Sequence, residues 1–245
     1  MKLLWSSVVL TLALAVWPLD ESAAAPGSQT LPVQAPAPIR IGVLAHKGVD
    51  ICEQMWQPTM AYLAQEMPDW SFKLVLLRFE QIEDAVKNES VDFLICNPAI
   101  YVDLEVKYGV TRILTLRNRV GKQIVMEYGG VVFCRADRTE LKRFADVRDR
   151  RVAATDRASF GGWMMALREF KAAGIDLERE CAQLVFFENH TNVVREVLDR
   201  KADIGIVRTD TLERMAAAGE LRMEDVRVIP CFEEGKGAKD FPYAH

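Results

Sequence analysis

Most landmarks of metal, redox and nucleotide chemistry are missing from this 245-residue chain. There are three histidines, His46, His190 and His245, too scattered along the sequence to suggest a metal-ligand set. The five cysteines, Cys52, Cys96, Cys134, Cys181 and Cys231, are odd in number and form no CxxC pair, so no zinc ribbon or dithiol redox motif is encoded. Cys96 and Cys134 lie in apolar strand-like runs, where a free thiol behaves as a small hydrophobe. Cys181 and Cys231 can pair only if their strands are neighbours. Cys52, near a loop-to-helix start, is the thiol expected to be exposed. No GxGxxG, P-loop, HExxH or nucleophile elbow occurs, so no cofactor, metal site or catalytic residue is assigned. A net charge of -4 without a long basic run argues against a nucleic-acid partner. Beyond the first twenty or so residues, no apolar run is long enough to cross a bilayer.

What is present begins with an export signal. Lys2 is a short positive region, Leu3 to Trp17 is apolar apart from Ser6, Ser7 and Thr11, and Ser22-Ala23-Ala24 is a small-residue cleavage site. An apolar stretch of this length is short for a span of about 20 residues, so residues 1–24 read as a cleaved signal peptide. Residues 25–38, rich in Pro, Ala, Ser and Gln, read as a flexible tether.

From Ile39 onward strands and helices alternate with short links, the pattern of a layered α/β fold. Strands are expected at Ile39–Ala45, Phe72–Leu77, Val91–Cys96 and Thr111–Leu116. Helices are expected from about Glu53 to Glu66, over Gln81–Lys87 and over Ala99–Tyr108, with Pro58 either kinking the first or marking a later start. Val125–Ala136 is a longer extended run with Gly129-Gly130 inside it. A second α/β set follows, with strands at Arg150–Thr155, Leu184–Glu188, Ala202–Val207 and Val226–Pro230. Its helices are expected at about Gly162–Ala173, Thr191–Arg200 and Asp210–Ala218. Two such sets joined by a crossing strand predict two lobes, residues 39–124 and 125–230, with a cleft between them. Residues 231–245 are too few to cross back and pack a helix on the first lobe, so the chain is expected to be part of a longer one.

Polar residues recur where strands end, which is where open α/β sheets place ligands. His46 and Lys47 follow the first strand, and Asn97 and Tyr101 the third. Asp156 to Gly161 lead into a helix whose N-terminus can seat an anion. Asn189, His190 and Thr191 follow a later strand, and Arg208, Thr209 and Asp210 another. Each has a plainer reading: Asn97-Pro98 as a turn, Ser159, Asn189, Thr191 or Thr209 as helix caps, and Tyr101 as helix packing. Ser159 and His190 could be fitted into a hydrolytic triad with some Asp, but a chain of this size always offers such a combination.

Four segments carry a resemblance: ICNPAIYVDLE, VAATDRASFGGWMM, ENHTNVVREVL and ADIGIVRTDTLERM. Together they resemble the phosphonate-binding-type periplasmic solute-binding proteins, a branch of the two-lobed type II class. SFGGWMMALREFKAAGID and VRTDTLERMAAAGEL are most similar to sensor domains of histidine kinases of the tetrathionate-sensor kind, and KDFPYAH resembles the start of a return crossing to lobe 1. The resemblance implies ligand binding between the lobes by Tyr101, Asp156 with Ser159, and His190. Phosphonate binders carry hydroxyl residues where this chain has Phe160 and Gly161, and an Asp where it has Thr191. An aminophosphonate is therefore disfavoured; another oxyanion, such as a sulfur oxyanion, or a larger ligand stacking on Phe160 or Trp163 fits better. The expected role is periplasmic binding of a small anionic solute as the sensory part of a two-component histidine kinase. The alternative is a free binding protein serving an ABC permease for phosphonate-like or other oxyanions. The expected contacts are Tyr101, Asp156, Ser159, Phe160, Gly161, His190, Thr191, Asn97, Arg208 and Thr209, and alanine at Tyr101, Ser159 or His190 is expected to weaken binding.

Overall fold

The computed structural model describes residues 36–120 and 123–230. The segments read as signal peptide and return crossing, and most of the tether, lie outside those residues.

Strand β1 (Ile39–Leu44) is the centre of a three-stranded parallel sheet, flanked by β2 (Phe72–Leu77) and β3 (Phe93–Ile95). Parallel strands need crossovers, and α1 (Val49–Glu66) and α2 (Phe79–Lys87) supply them. Pro58 lies inside α1, which begins upstream of the expected start, after Gly48. Helix α3 (Pro98–Tyr108) follows β3. Asn97 caps it, Pro98 occupies the first turn where its missing N–H is harmless, and Gly109 ends it at φ 68°.

The larger sheet has the order β10-β6-β9-β7-β8. Strands β7 (Arg151–Ala154), β8 (Gln183–Phe186) and β9 (Ile204–Arg208) run parallel. Strand β6 (Gly130–Arg135) runs antiparallel between β9 and β10 (Val226–Val228). Its helices are α4 (Met165–Ala172), a short α5 (Leu177–Glu180) that the sequence pattern did not predict, α6 (His190–Leu198) and α7 (Thr211–Ala217). The two-residue period of the strands divides the apolar side chains between two faces. Val132, Cys134, Ile204 and Ile206 join Phe144, Trp163 and Phe170 on one side, where the rings of Phe144 and Phe170 stack at 4.1 Å. Phe133, Ala153 and Val207 join Val193, Val197, Leu212 and Met215 on the other. Each buried Val, Leu, Ile, Phe or Met among them contributes roughly 1.5–3 kcal/mol of burial free energy, set against the entropy of ordering it. At the sheet margin the Arg151 N–H and guanidinium and Arg138 Nη1 all donate to the Asp203 carboxylate. Burial alone would raise that carboxyl's pKa, but these hydrogen bonds outweigh it and hold it well below the usual range.

Three expectations need correction. Thr111–Leu116 is not a strand: β3 forms an edge of the small sheet, and no strand lies beside this run among the described residues. An apolar run without a pairing partner gains nothing from extension, and Leu114 is 84% exposed. The next strands are instead a small antiparallel pair, β4 (Asn118–Val120) and β5 (Gln123–Val125). The continuous strand expected over Val125–Ala136 is likewise interrupted, with β5 ending at Val125 and β6 starting at Gly130. Cys52, expected at the surface, is fully buried in the first turn of α1, and burial raises its thiol pKa. Cys181 is a free thiol in the structure; its suggested partner Cys231 lies outside the described residues. No helix among the described residues is long and apolar enough to cross a membrane.

Candidate functional site

The turn after β7 is built from its own polar atoms. Asp156 Oδ1 accepts from the Ala158 N–H at 2.7 Å, and the Ser159 N–H donates to the Asp156 carbonyl at 3.0 Å. Ser159 Oγ accepts from the Gly162 N–H at 3.1 Å, making Ser159 the cap of a wide π-type turn, Phe160–Met164, that leads into α4. The two glycines permit close packing. A Cβ on Gly161 would sit 2.7 Å from the Gly129 carbonyl oxygen, and one on Gly162 would sit 2.2 Å from Thr155 Oγ1. Burial raises the pKa of the half-buried Asp156. Trp163, considered as a stacking surface, is instead core: it is 2% exposed and packs edge-on against Phe186. Phe160 is only half-buried and meets Tyr128 edge-on at 5.4 Å.

His190 opens α6, with Asn189 as the cap accepting from the Asn192 N–H. Its Nδ1 lies 3.0 Å from Thr155 Oγ1 and 3.2 Å from the Arg208 backbone nitrogen. A backbone N–H can only donate, so Nδ1 is the acceptor and the proton sits on Nε2. Burial, then the charges of nearby groups, lowers this imidazole's pKa to about 3, and it is neutral at physiological pH. Opposite stands His46, on the loop after β1, with ring centroids 6.5 Å apart and the rings edge to face. Here Nδ1 lies 3.2 Å from the Leu44 carbonyl oxygen, which can only accept, so His46 carries its proton on Nδ1. Burial lowers its pKa to about 4. The two rings, one from each half of the molecule, are thus neutral and of opposite tautomer.

A charged cluster adjoins them. The Arg208 guanidinium stacks over the Tyr128 ring at 4.3 Å, and its Nε is buried without a hydrogen-bond partner. Its Nη2 approaches Asp210 Oδ2 only to 3.6 Å, whereas Arg214, one turn along α7, binds the same carboxylate directly. Lys47, from the loop that carries His46, is part-buried, and its pKa is lowered by burial and by Arg214. Burial also raises the Tyr128 phenol to about 12 and lowers the Arg208 guanidinium.

The structure separates the residues singled out from the sequence. It brings His190 and Arg208 together with His46 and Lys47. It shows Ser159, Gly161, Thr209 and Asn97 holding backbone in place. Thr209 Oγ1 accepts from the Gly129 N–H at 3.1 Å. Asn97 Oδ1 accepts from the Ala99 and Ile100 N–H groups, while its Nδ2 donates to the Ala158 carbonyl at 3.0 Å, linking α3 to the turn after β7. The Tyr101 hydroxyl donates to Glu105 on the same helix, and Thr191 is part-exposed in the first turn of α6. Ser159 and His190 are each bonded elsewhere, so no Ser–His pair forms. Three contributors were missed: Thr155, the polar last residue of an apolar strand run; Tyr128, inside the extended run before Gly129; and Arg214, legible only as the i,i+4 partner of Asp210.

Known proteins share this arrangement of chain. The family model described as "ABC transporter, phosphonate, periplasmic substrate-binding protein" matches residues 41–235. The chain belongs to this family. A tetrathionate sensor histidine kinase of Salmonella typhimurium is 30% identical over 187 residues, which cover 76% of this chain and 31% of that protein. The chain therefore spans about a third of the length of the curated relative it matches. Among solved structures, PhnD1 of Prochlorococcus marinus in complex with methylphosphonate aligns at a TM-score of 0.68 and 13% identity, over 78% of this chain and 71% of that one. A binding-protein component of an ABC phosphonate transporter from Pseudomonas aeruginosa aligns at 0.64 and 13%, over 78% and 63%. At such identities these structures establish the two-lobed type II fold, not the ligand. The chain is a periplasmic solute-binding domain.

Proposed function

We propose that this domain binds a small anion between its lobes as the sensory part of a membrane-anchored histidine kinase. The observation that carries the reading is a surplus of part-buried positive charge where loops of the two halves meet. Lys47, Arg208 and Arg214 set three positive charges against one carboxylate, Asp210, beside two neutral histidines. Contacts that a ligand makes only when the lobes close would shift the population towards closure, and the downstream kinase would read that shift. His190 Nε2–H and the Arg208 guanidinium are the direct donors in this reading. Ser159, Gly161, Thr209 and Asn97 shape the site; Asp156, Phe160, Thr191 and Tyr101 line its margins. Residues 1–24 would direct export and be removed.

A sulfur oxyanion is the first class to try. Tetrathionate is what the Salmonella relative's name says it senses. An aminophosphonate would need a carboxylate for its amine, and Asp210 is already held by Arg214.

Thermal-shift and calorimetric titration of the exported chain against sulfur oxyanions, phosphonates, sugars and amino acids tests the reading. A saturating anion should raise the melting temperature, since a ligand at about 100 times its Kd stabilises by about 2.7 kcal/mol. Response only to neutral or cationic solutes would refute it. His190→Ala should weaken binding most, Ser159→Ala less, and Tyr101→Ala least. A second reading, a free binding protein serving an ABC permease, is supported by the transporter-derived structures that share the fold. The DNA beyond codon 245 separates the two: an in-frame membrane segment and kinase support the sensor, and adjacent permease genes support transport.

A further inference from the structure

Buried charges in folded proteins are paired, because an unpaired one loses hydration without compensation. In the cluster beside the histidines, only part of the charge obeys this. Asp210 is 8% exposed at its side chain and is bound directly by Arg214, which reaches it from one turn along α7 and is itself 37% exposed. Those two neutralise each other. Arg208 is left with only a 3.6 Å approach to the same carboxylate, a ring face beneath its guanidinium, and a buried Nε with no acceptor. Lys47 forms no ion pair among the described residues; it is part-buried beside His46, whose ring lies 6.5 Å from that of His190, and His190 in turn accepts from the Arg208 N–H at 3.2 Å. Three cations thus share one carboxylate, an excess of two positive charges, and Arg208 and Lys47 come from different parts of the fold. Arg208 ends β9 of the larger sheet, and Lys47 follows β1 of the smaller one. Neither histidine adds charge to the balance, since both stay neutral well below physiological pH.

We propose that Lys47 and Arg208 form a two-point clamp selective for a dianion, one cation from each half, while Arg214 keeps Asp210 from filling it. This rests on the anion-binding reading above and names the charge class of its ligand. A monoanion would neutralise one cation and leave the other buried without a partner. A dianion satisfies both and, by doing so, ties the smaller half to the larger. Arg208 has the fork geometry to hold one oxyanion end bidentately; Lys47 acts as a point charge on the other.

The test uses a matched pair of probes, ethanedisulfonate and ethanesulfonate, titrated calorimetrically into the exported chain at constant ionic strength. The dianion is expected to bind roughly ten- to hundredfold tighter, the scale of one added charge-assisted hydrogen bond. Lys47→Gln should remove most of that preference, weakening the dianion much more than the monoanion. Arg208→Gln should weaken both probes, and Arg208→Lys, which keeps the charge, should restore much of the preference. Urea melts of each variant establish that it is folded; if Arg208→Gln does not fold, Lys47→Gln and Arg208→Lys decide the matter. Equal affinity for the two probes in the wild type, or a preference that survives Lys47→Gln, overturns the clamp while leaving the anion reading intact. Binding of neither probe nor any other anion overturns both.

Discussion

The two sheets of this molecule differ in how completely they bury what they carry. In the larger, Phe133, Phe170, Val193 and Ile206 are fully enclosed and both faces are covered. In the smaller, β2 and β3 are only part-buried, and Val102, Val106, Ile113, Leu114 and Leu116 face outward nearby. The site follows the same division. Thr155, Ser159, His190, Arg208 and Asp210 sit on elements anchored in the larger core; His46, Lys47 and Asn97 come from loops over the smaller sheet. A rigid half that orients donors, faced by a less deeply packed half that supplies a few groups, suits recognition by closure.

This contrast can be broken by mutation. The largest effect is expected for Phe170→Ala, which opens a cavity in the enclosed core and should cost about 3–5 kcal/mol. Leu74→Ala, at a part-buried position of β2, should cost far less; comparable costs in urea melts would remove the distinction. Acid comes next. In the unfolded chain His46 and His190 take up protons near pH 6.5, but in the folded chain only near about 4 and about 3. The unfolded state therefore binds more protons below pH 6.5, and stability should fall as pH drops from 6.5 towards 4, by a few kcal/mol in all. His46→Gln should flatten that slope measurably. Anion affinity should stay level between pH 6 and 8, because neither ring titrates there; a rise in affinity on acidification in that window would mean that a charged imidazole binds. Asn97→Ala should cost about 1 kcal/mol through the lost cap, and should speed hydrogen exchange in the turn after β7 by removing the bond to Ala158. The smallest effect is expected for Leu114→Ser, within about 0.5 kcal/mol, as at other exposed positions. A larger loss would show that this run is covered in solution.

The larger sheet was readable because its strands are short apolar runs between turn residues, and burial on both faces makes such runs conspicuous. Thr111–Leu116 has the same composition and misled for that reason: periodicity reports a tendency to pair, and whether a partner exists is decided elsewhere in the chain. At the site, strand ends pointed to His190 and Arg208, since topology puts ligands there. Thr155 and Arg214 escaped because their roles depend on what they face, a ring nitrogen and a carboxylate that only the folded chain brings near. The family resemblance points to Gly161 and Trp163 as ligand-facing. The close approach of Gly129 to Gly161, and of Thr155 to Gly162, places one inside the packing, and the Trp163 contact with Phe186 places the other there.

The double use of Asn97 has a consequence for tuning. One amide both ends the approach to α3 and grips the Ala158 carbonyl in the turn after β7. In a receptor that closes, this clasp helps set the fraction of molecules already competent to bind, and apparent affinity scales with that fraction. Side-chain changes at Asn97, a residue that need never touch the solute, would therefore slide the working concentration range of the receptor up or down while leaving its choice of solute unchanged.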